Sequence, residues 1–357
     1  MIAQRADALT DALREIKCVF SDGFPWEELI RRAKEGDLLG TLSHRLDEAG
    51  FLMRVPDAPR AHLRAAQITF KAQETAVRRE IAEIAQALQH VGTPVILLKG
   101  AAYLLAGLPP SRGRLFSDID ILVRKEALPA VESALMLAGY ATTHHHPYDQ
   151  RYYRRWMHEL PPMQHVKRMT MLDVHHTIVP ETAPIRLDAD KLFQRAMPLP
   201  GRDDFSVLGP VDMVLHSATH LFHNEDLTHG LRDLVDIDAL LRHFGSHPEF
   251  WNDLAARAIE LDLGRPLYYA LRWASRLLAT PVPGAVTSTA KRHAPSAHVA
   301  WLMDRLLARA LYPAADRAST RWARRALYVR GHWLRMPIPL LAWHLTAKTF
   351  RREDQPA

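Results

Sequence analysis

Phe116-Ser117-Asp118-Ile119-Asp120-Ile121-Leu122-Val123 is the stretch whose reading decides the fold. Its β-branched and aliphatic residues predict a strand. Side chains alternate between the two faces of a strand, so Asp118 and Asp120 point the same way. Like charges held this close repel unless a cation sits between them. An oxygen-only pair suits Mg²⁺, which is commonly shared with substrate phosphates. A nucleotide is therefore the first ligand to consider.

The same tripeptide recurs as Asp236-Ile237-Asp238, inside Leu231 to Leu241, where the apolar residues follow helical spacing. Positions two apart on a helix lie on nearly opposite faces. Asp236 and Asp238 are thus expected not to share one metal, whereas Asp233 and Asp236 share a face.

The 357 residues, 48% hydrophobic and 24% charged, are ordinary for a soluble globular protein of two or three domains. The amino terminus lacks a signal-peptide layout and no run of about eighteen apolar residues occurs, so the expectation is a cytoplasmic protein without an integral membrane segment. Cys18 is the only cysteine, which excludes internal disulfides and multi-cysteine zinc or iron–sulfur sites. The net charge of +6 is uneven: residues 317–352 carry nine Lys or Arg and no acid. Basicity belongs to the tail.

Four regions are expected: N-terminal helices over 1–91, a mixed catalytic module over 92–209, a helical domain over 210–280, and a linker with a basic helical tail over 281–357. Helices are predicted near 2–17, from Pro25, and from Pro59 to His90. Short apolar runs at Pro94–Leu98, Ile119–Val123 and Thr170–Val174 read as strands, with a helix over 126–137 between them. Val166–Thr170 and Met171–Val174 read as parts of one straight or bent strand. Helices follow at 211–222, 227–244, 249–261 and 266–279, then a proline-rich linker or loop over 280–298.

Ile96-Leu97-Leu98-Lys99-Gly100-Ala101-Ala102 reads as a strand running through Lys-Gly into a helix, a turn that lets a phosphate approach backbone N–H groups at the helix start. The following loop, Leu108 to Leu115, carries Arg112 and Arg114 for phosphate oxygens. Two-metal phosphoryl transfer usually needs a third carboxylate. Asp173, a charged residue within the apolar run Met171-Leu172-Asp173-Val174-His175-His176, is the candidate, because burying it needs a partner such as a metal.

Four pieces in this order resemble the uncharacterised nucleotidyltransferase family of the polymerase-beta-like superfamily: Lys99-Gly100-Ala101-Ala102, Arg114 to Val123, Leu172-Asp173-Val174-His175, and Leu231 to Ile237. The resemblance spans roughly residues 90–245. It implies an α+β fold with a polymerase-beta-like core, a small mixed sheet flanked by helices. It also implies Mg²⁺, with Mn²⁺ as the alternative, and transfer of an NMP group from an NTP to a hydroxyl acceptor with release of pyrophosphate. Asp118 and Asp120 would be metal ligands. Asp173 would be the third ligand and help deprotonate the nucleophile. Lys99, Gly100, Arg114 and Ser117 form the expected nucleotide-binding set, with Gly100 the phosphate-loop glycine. The acceptor is a protein, a small molecule or an RNA end. Many superfamily members carry Gly-Ser in the phosphate loop, where this chain has Gly100-Ala101 preceded by Lys99. The alternative reading is a catalytically weakened nucleotide- or RNA-binding protein that keeps the fold.

His216, His220 and His223 share a helix face, and helix packing is favoured there over zinc binding. His144-His145-His146 reads as a solvated turn. Arg232, Asp233 and Asp236 read as a structural ion-pair cluster. Arg321, Arg324, Arg325, Arg330 and Arg335 alternate with Trp322, Tyr328, Trp333 and Trp343, which usually marks a solvated helix face with aromatic anchors in a core. The combination also suits RNA or an anionic membrane surface, and the Met336-Pro337-Ile338-Pro339 break weakens the membrane reading.

Overall fold

Ile119–Leu122 is fully buried, and such a strand belongs at the centre of a sheet covered on both faces. The computed structural model describes residues 8–223, 226–312 and 317–335 of the chain. Four helices come first: α1 (Ala8–Arg14), α2 (Trp26–Glu35), α3 (Leu39–Glu48) and α4 (Asp57–Leu88). The mixed module follows, with β1 (Ile96–Leu98), α5 (Lys99–Leu105), β2 (Ile119–Leu122), α6 (Leu128–Leu137), β3 (Tyr140–Thr142), α7 (Pro147–Trp156), β4 (Met163–His165) and β5 (Met171–His175). After α8 (Asp190–Gln194), β6 (Met197–Pro198) and β7 (Ser206–Val207), the chain is helical. It forms α9 (Pro210–His223), α10 (Gly230–Phe244), α11 (Pro248–Glu260), α12 (Gly264–Leu278), α13 (Gly284–Lys291), α14 (Ala297–Ala310) and α15 (Ala318–Arg335). The fold is α+β.

The seven strands form one mixed sheet in the order β3-β4-β5-β2-β1-β7-β6. Its register decides what meets what. β1 runs antiparallel to β2 with Leu98 opposite Asp120, so the next residue, Lys99, emerges beside that carboxylate. β5 runs parallel to β2 with Asp120 opposite Asp173 and Leu122 opposite His175. Residues two apart on a strand share a face. Asp118 and Asp120 at β2 and Asp173 and His175 on β5 therefore gather on one side of the sheet.

The 32-residue α4, about 48 Å long at the helical rise, turns Leu63, Val77, Ile81, Ile84 and Leu88 inward. Its buried Glu80 accepts hydrogen bonds from the Tyr140 hydroxyl and from Arg168 Nε at 2.6 Å, which fastens β3 and the turn between β4 and β5 to this helix. The helical part docks through polar contacts inside an apolar seam. Tyr103 and Ser217 share a 2.6 Å hydrogen bond between α5 and α9, and Arg257 on α11, held by Asp212 on α9 at 2.8 Å, donates to the Lys191 carbonyl on α8 at 2.7 Å. One hydrophobic core runs from Leu9 to Leu327.

Two expectations are corrected. Val166–Thr170 is a turn between β4 and β5, not strand. The His165 ring accepts from the Lys167 and Arg168 backbone N–H groups, Met169 takes a left-handed φ of 59°, and Val166 and Met169 face solvent. The 280–298 stretch contains α13, where Val286 and Ala290, one turn apart, are buried behind the Pro283 start. Residues 2–7 of the expected first helix, Met336-Pro337-Ile338-Pro339, Trp343 and the basic residues beyond Arg335 lie outside the described residues.

Candidate active site

Asp118, Asp120 and Asp173 each offer a carboxylate oxygen to one group whose ligand atoms lie within 4.8 Å of one another. The strand register alone brings Asp120 and Asp173 together, and the period of two adds Asp118. Their environments differ. Asp118 is partly exposed and accepts a 2.8 Å hydrogen bond from the Ser117 hydroxyl. Asp120 is buried, and its Oδ1 accepts from Lys99 Nζ at 2.9 Å and lies 3.0 Å from His175 Nε2. Burial opposes the charge of Asp120, but Lys99 and His175 outweigh burial and hold its carboxyl well below the usual carboxylate range. Asp173 has no such partner. Its Oδ1 is buried without a hydrogen bond, and burial together with Glu159 and Asp120 pushes its carboxyl well above the ordinary value.

This donor set fits a hard divalent cation, which prefers oxygen ligands. Three carboxylates face the one ammonium of Lys99. The orphaned Asp173 oxygen is what a bound cation would satisfy. Lys99 itself has a φ of 44°, a left-handed conformation that costs a non-glycine residue on the order of 1–3 kcal/mol. Its ion pair with Asp120 holds it there. Burial works against the ammonium, while Asp120 and Asp118 outweigh burial and raise its pKa.

A cavity of about 250 Å³ opens beside Asp118. Lys99, Tyr103, Arg114, Ser117 and Asp118 line it from the strand module, with Ser217, His220, Asp226, His229, Arg232, Asp233 and Asp236 completing the wall. Three of the four residues expected to bind nucleotide thus share one cavity. Gly100 does not line it. A Cβ there would meet Arg114 Nη1 at 2.6 Å and the Phe116 ring at 3.0 Å, so glycine lets the arginine pack across α5. Arg114 is buried, and its Nε donates to Asp236 Oδ2 at 2.8 Å. Arg232 pairs with Asp233 at 3.2 Å, as the cluster reading expected.

The second tripeptide behaves as its helical spacing requires. Asp236 faces Arg114, while Asp238 on the other side accepts from Arg242 Nε at 2.7 Å and from the Thr280 hydroxyl at 2.6 Å. Among the described residues, the groups with metal-ligand proximity are Asp118–Asp120–Asp173 and His158–Glu159–His175; the His216, His220, His223 row is not one of them. Burial holds His216 and His223 neutral, with pKa values lowered to about 3 and about 4. His146 caps α7 by accepting from the Tyr148 N–H.

Sequence reasoning did not single out Tyr103, Ser217, Glu159 or His175. His175 had a legible signal, because it follows Asp173 by two positions on the same strand face. Glu159 had none, since an isolated bridge opposite His175 brings it in. In the tail, Arg324 and Arg330 donate to the carbonyls of Ala310 and Phe222, whereas Trp322 and Trp333 are exposed. Among the described residues no helix is long and apolar enough to cross a membrane.

No curated protein matches the chain, and no solved structure does. The model of the uncharacterised nucleotidyltransferase family matches residues 22–279, which takes in the helices α2–α4 ahead of the sheet and α9–α12 behind it. With the carboxylate group and its cavity inside that span, the chain belongs to this nucleotidyltransferase family.

Proposed function

We propose that the protein transfers an NMP group from an NTP to a hydroxyl acceptor and releases pyrophosphate, on a polymerase-beta-like core, with Mg²⁺ as cofactor and Mn²⁺ as a substitute. The observation that carries this reading is the convergence of Asp118, Asp120 and Asp173 beside a cavity lined by Lys99, Arg114 and Ser117. Family membership supports the same chemistry.

Asp118, Asp120 and Asp173 would hold the metal. When bound, Mg²⁺ supplies charge for the triphosphate and lowers the pKa of the attacking hydroxyl. The chain's own residues do the rest. Asp173, ionised as a metal ligand, is the carboxylate placed to help take the hydroxyl proton. His175 and Lys99 fix the Asp120 carboxylate from behind, so its orientation is set before ligand arrives. Arg114, anchored by Asp236, presents guanidinium donors to the triphosphate at the cavity wall, and Ser117 lines the same wall with its hydroxyl turned to Asp118. The acceptor is a protein side chain, a small metabolite or an RNA end, and the basic tail suits RNA.

The runner-up is nucleotide or RNA binding without efficient turnover. It draws on Ala101, which brings no hydroxyl to the loop, and on Lys99, whose ammonium is engaged by Asp120. Incubation with each labelled NTP, Mg²⁺ and cell extract separates the two. Label transfer that disappears in the Asp118→Ala/Asp120→Ala double variant is the expected result. NTP binding with no transfer favours the runner-up, and transfer that survives the double variant removes the assigned site.

A further inference from the structure

Behind the carboxylate group lies a second set of ligand-bearing side chains, of which the proposed transfer reaction uses only the Nε2 side of His175. His158, Glu159 and His175 each direct one donor atom into a space where these atoms lie within 4.8 Å of one another. His175 Nδ1 is 3.4 Å from Glu159 Oε2, and His158 Nε2 is 4.0 Å from the same oxygen. The His175 imidazole is 4% exposed and that of His158 11%, and their rings lie 5.2 Å apart. His175 Nδ1 has no hydrogen-bond partner, and neither does His158 Nδ1.

The bonding of His175 turns its Nδ1 toward a carboxylate. Its Nε2 lies 3.0 Å from Asp120 Oδ1, and only an N–H can bond there, because a carboxylate accepts. The Nδ1 of that tautomer carries a lone pair, and it faces the carboxylate of Glu159. Two electron-rich atoms 3.4 Å apart in a buried site are bridged either by a second ring proton, which burial opposes but Asp120 and Glu159 favour by raising the His175 pKa, or by a metal cation that takes its place. Metal-bound histidines almost always donate their other ring N–H to a carboxylate or carbonyl. Asp120 to His175 is that arrangement with the metal position left at Nδ1.

The geometry points to a second metal site at His158, Glu159 and His175, which takes a borderline divalent ion of the zinc class rather than Mg²⁺. Two imidazoles and one carboxylate form a donor set found at zinc centres with an open fourth position, whereas Mg²⁺ prefers oxygen throughout. Bonds of about 2.0–2.1 Å in a tetrahedral site separate donors by about 3.3–3.4 Å. The His175–Glu159 separation of 3.4 Å already matches, and His158 Nε2, 4.0 Å from Glu159 Oε2, needs to close by about 0.6–0.7 Å. An ion there would fix the His175 ring and, through its Nε2–H, the Asp120 carboxylate. Asp118, Asp120, Asp173 and Glu159 against Lys99 leave enough negative charge for cations on both sides of Asp120.

The test needs neither nucleotide nor acceptor, so its outcome is independent of the proposed transfer reaction. The full chain is loaded with Zn²⁺, dialysed against excess Mg²⁺, and its retained zinc counted by mass spectrometry. Co²⁺ loading supplies a visible spectrum. About one retained Zn²⁺ per chain and the intense Co²⁺ bands of a four-coordinate site are expected. His158→Gln and Glu159→Gln should each weaken zinc binding by more than the roughly 10- to 100-fold that loss of an outer-shell partner costs, because each removes a direct ligand, while Asp118→Asn keeps it. Glu159 is partly exposed, so its isosteric variant remains informative if His158→Gln fails to fold. Zinc lost in Asp118→Asn but kept in both other variants would move the ion to the aspartates and overturn the proposal. So would ¹⁵N spectra with both His175 nitrogens protonated and unchanged by Zn²⁺.

Discussion

Asp173→Asn should make the metal-free protein more stable and the Mg²⁺-bound protein less responsive. The carboxylate sits on β5 opposite Asp120, with a buried Oδ1 that no group satisfies. Burial, then Glu159, then Asp120 raise its pKa in the folded chain, well above the unfolded value near 4. The folded state therefore keeps a proton that the unfolded state has released. Stability from Asp173 is fully present below about pH 4 and is lost as pH rises through the folded value, at about 1.4 kcal/mol per pH unit. An asparagine cannot titrate, and its amide donates to the neighbouring carboxylates. Removing one unsatisfied buried oxygen returns about 1–3 kcal/mol. At about 2 °C per kcal/mol for a chain of this size, the gain is roughly 2–6 °C in Tm at pH 7. Melting curves from pH 5 to 8 in chelator measure it, with the wild-type decline flattened in the variant. Mg²⁺ at a hundredfold above its Kd stabilises a protein by about 2.7 kcal/mol, and a site short of one carboxylate gains less. A variant less stable than wild type in chelator at every pH, or an equal Mg²⁺ shift in both proteins, would refute the reasoning.

Arg114→Met leaves Asp236 as an unpaired buried charge and should cost about 3–5 kcal/mol in urea unfolding, with Arg114→Met/Asp236→Asn recovering most of it. Gly100→Ala drives a Cβ into the Arg114 guanidinium and the Phe116 ring; a loss of about 1–3 kcal/mol in chemical denaturation and weaker NTP binding by calorimetry are expected. Asp118→Asn should lower Mn²⁺ affinity in paramagnetic relaxation measurements. Asp238→Asn, in the look-alike tripeptide, should leave that affinity unchanged while destabilising the helical part through Arg242 and Thr280.

The site residues legible in the sequence were those whose chemistry conflicts with their local pattern. Asp118, Asp120 and Asp173 are charges in strand-like apolar runs, and only a cation or a partner explains such a placement. The helical spacing around Asp236-Ile237-Asp238 was equally readable, and the two aspartates indeed meet different partners. What stayed hidden depends on contacts across long separations. Lys99 reads as a phosphate ligand until the β1–β2 register puts Asp120 beside it. Arg114 finds Asp236 across 122 residues, and Glu159 reaches His175 through a bridge outside any regular strand. The apolar letters of Val166 and Met169 suggested a strand, but both are exposed at a turn. Helices α2–α4 carry no chemistry-bearing motif, which is why the resemblance seen in the sequence began near residue 90, whereas the family match starts at residue 22.

The position of the label in the product tests the central claim most directly. NTP carrying label at the α-phosphate or at the γ-phosphate is incubated with the protein, Mg²⁺ and cell extract. The account predicts that α-label enters an acceptor, that γ-label leaves as pyrophosphate, and that both events stop in the Asp118→Ala/Asp120→Ala variant. Incorporation of γ-label, or α-label transfer that persists in that variant, would contradict it.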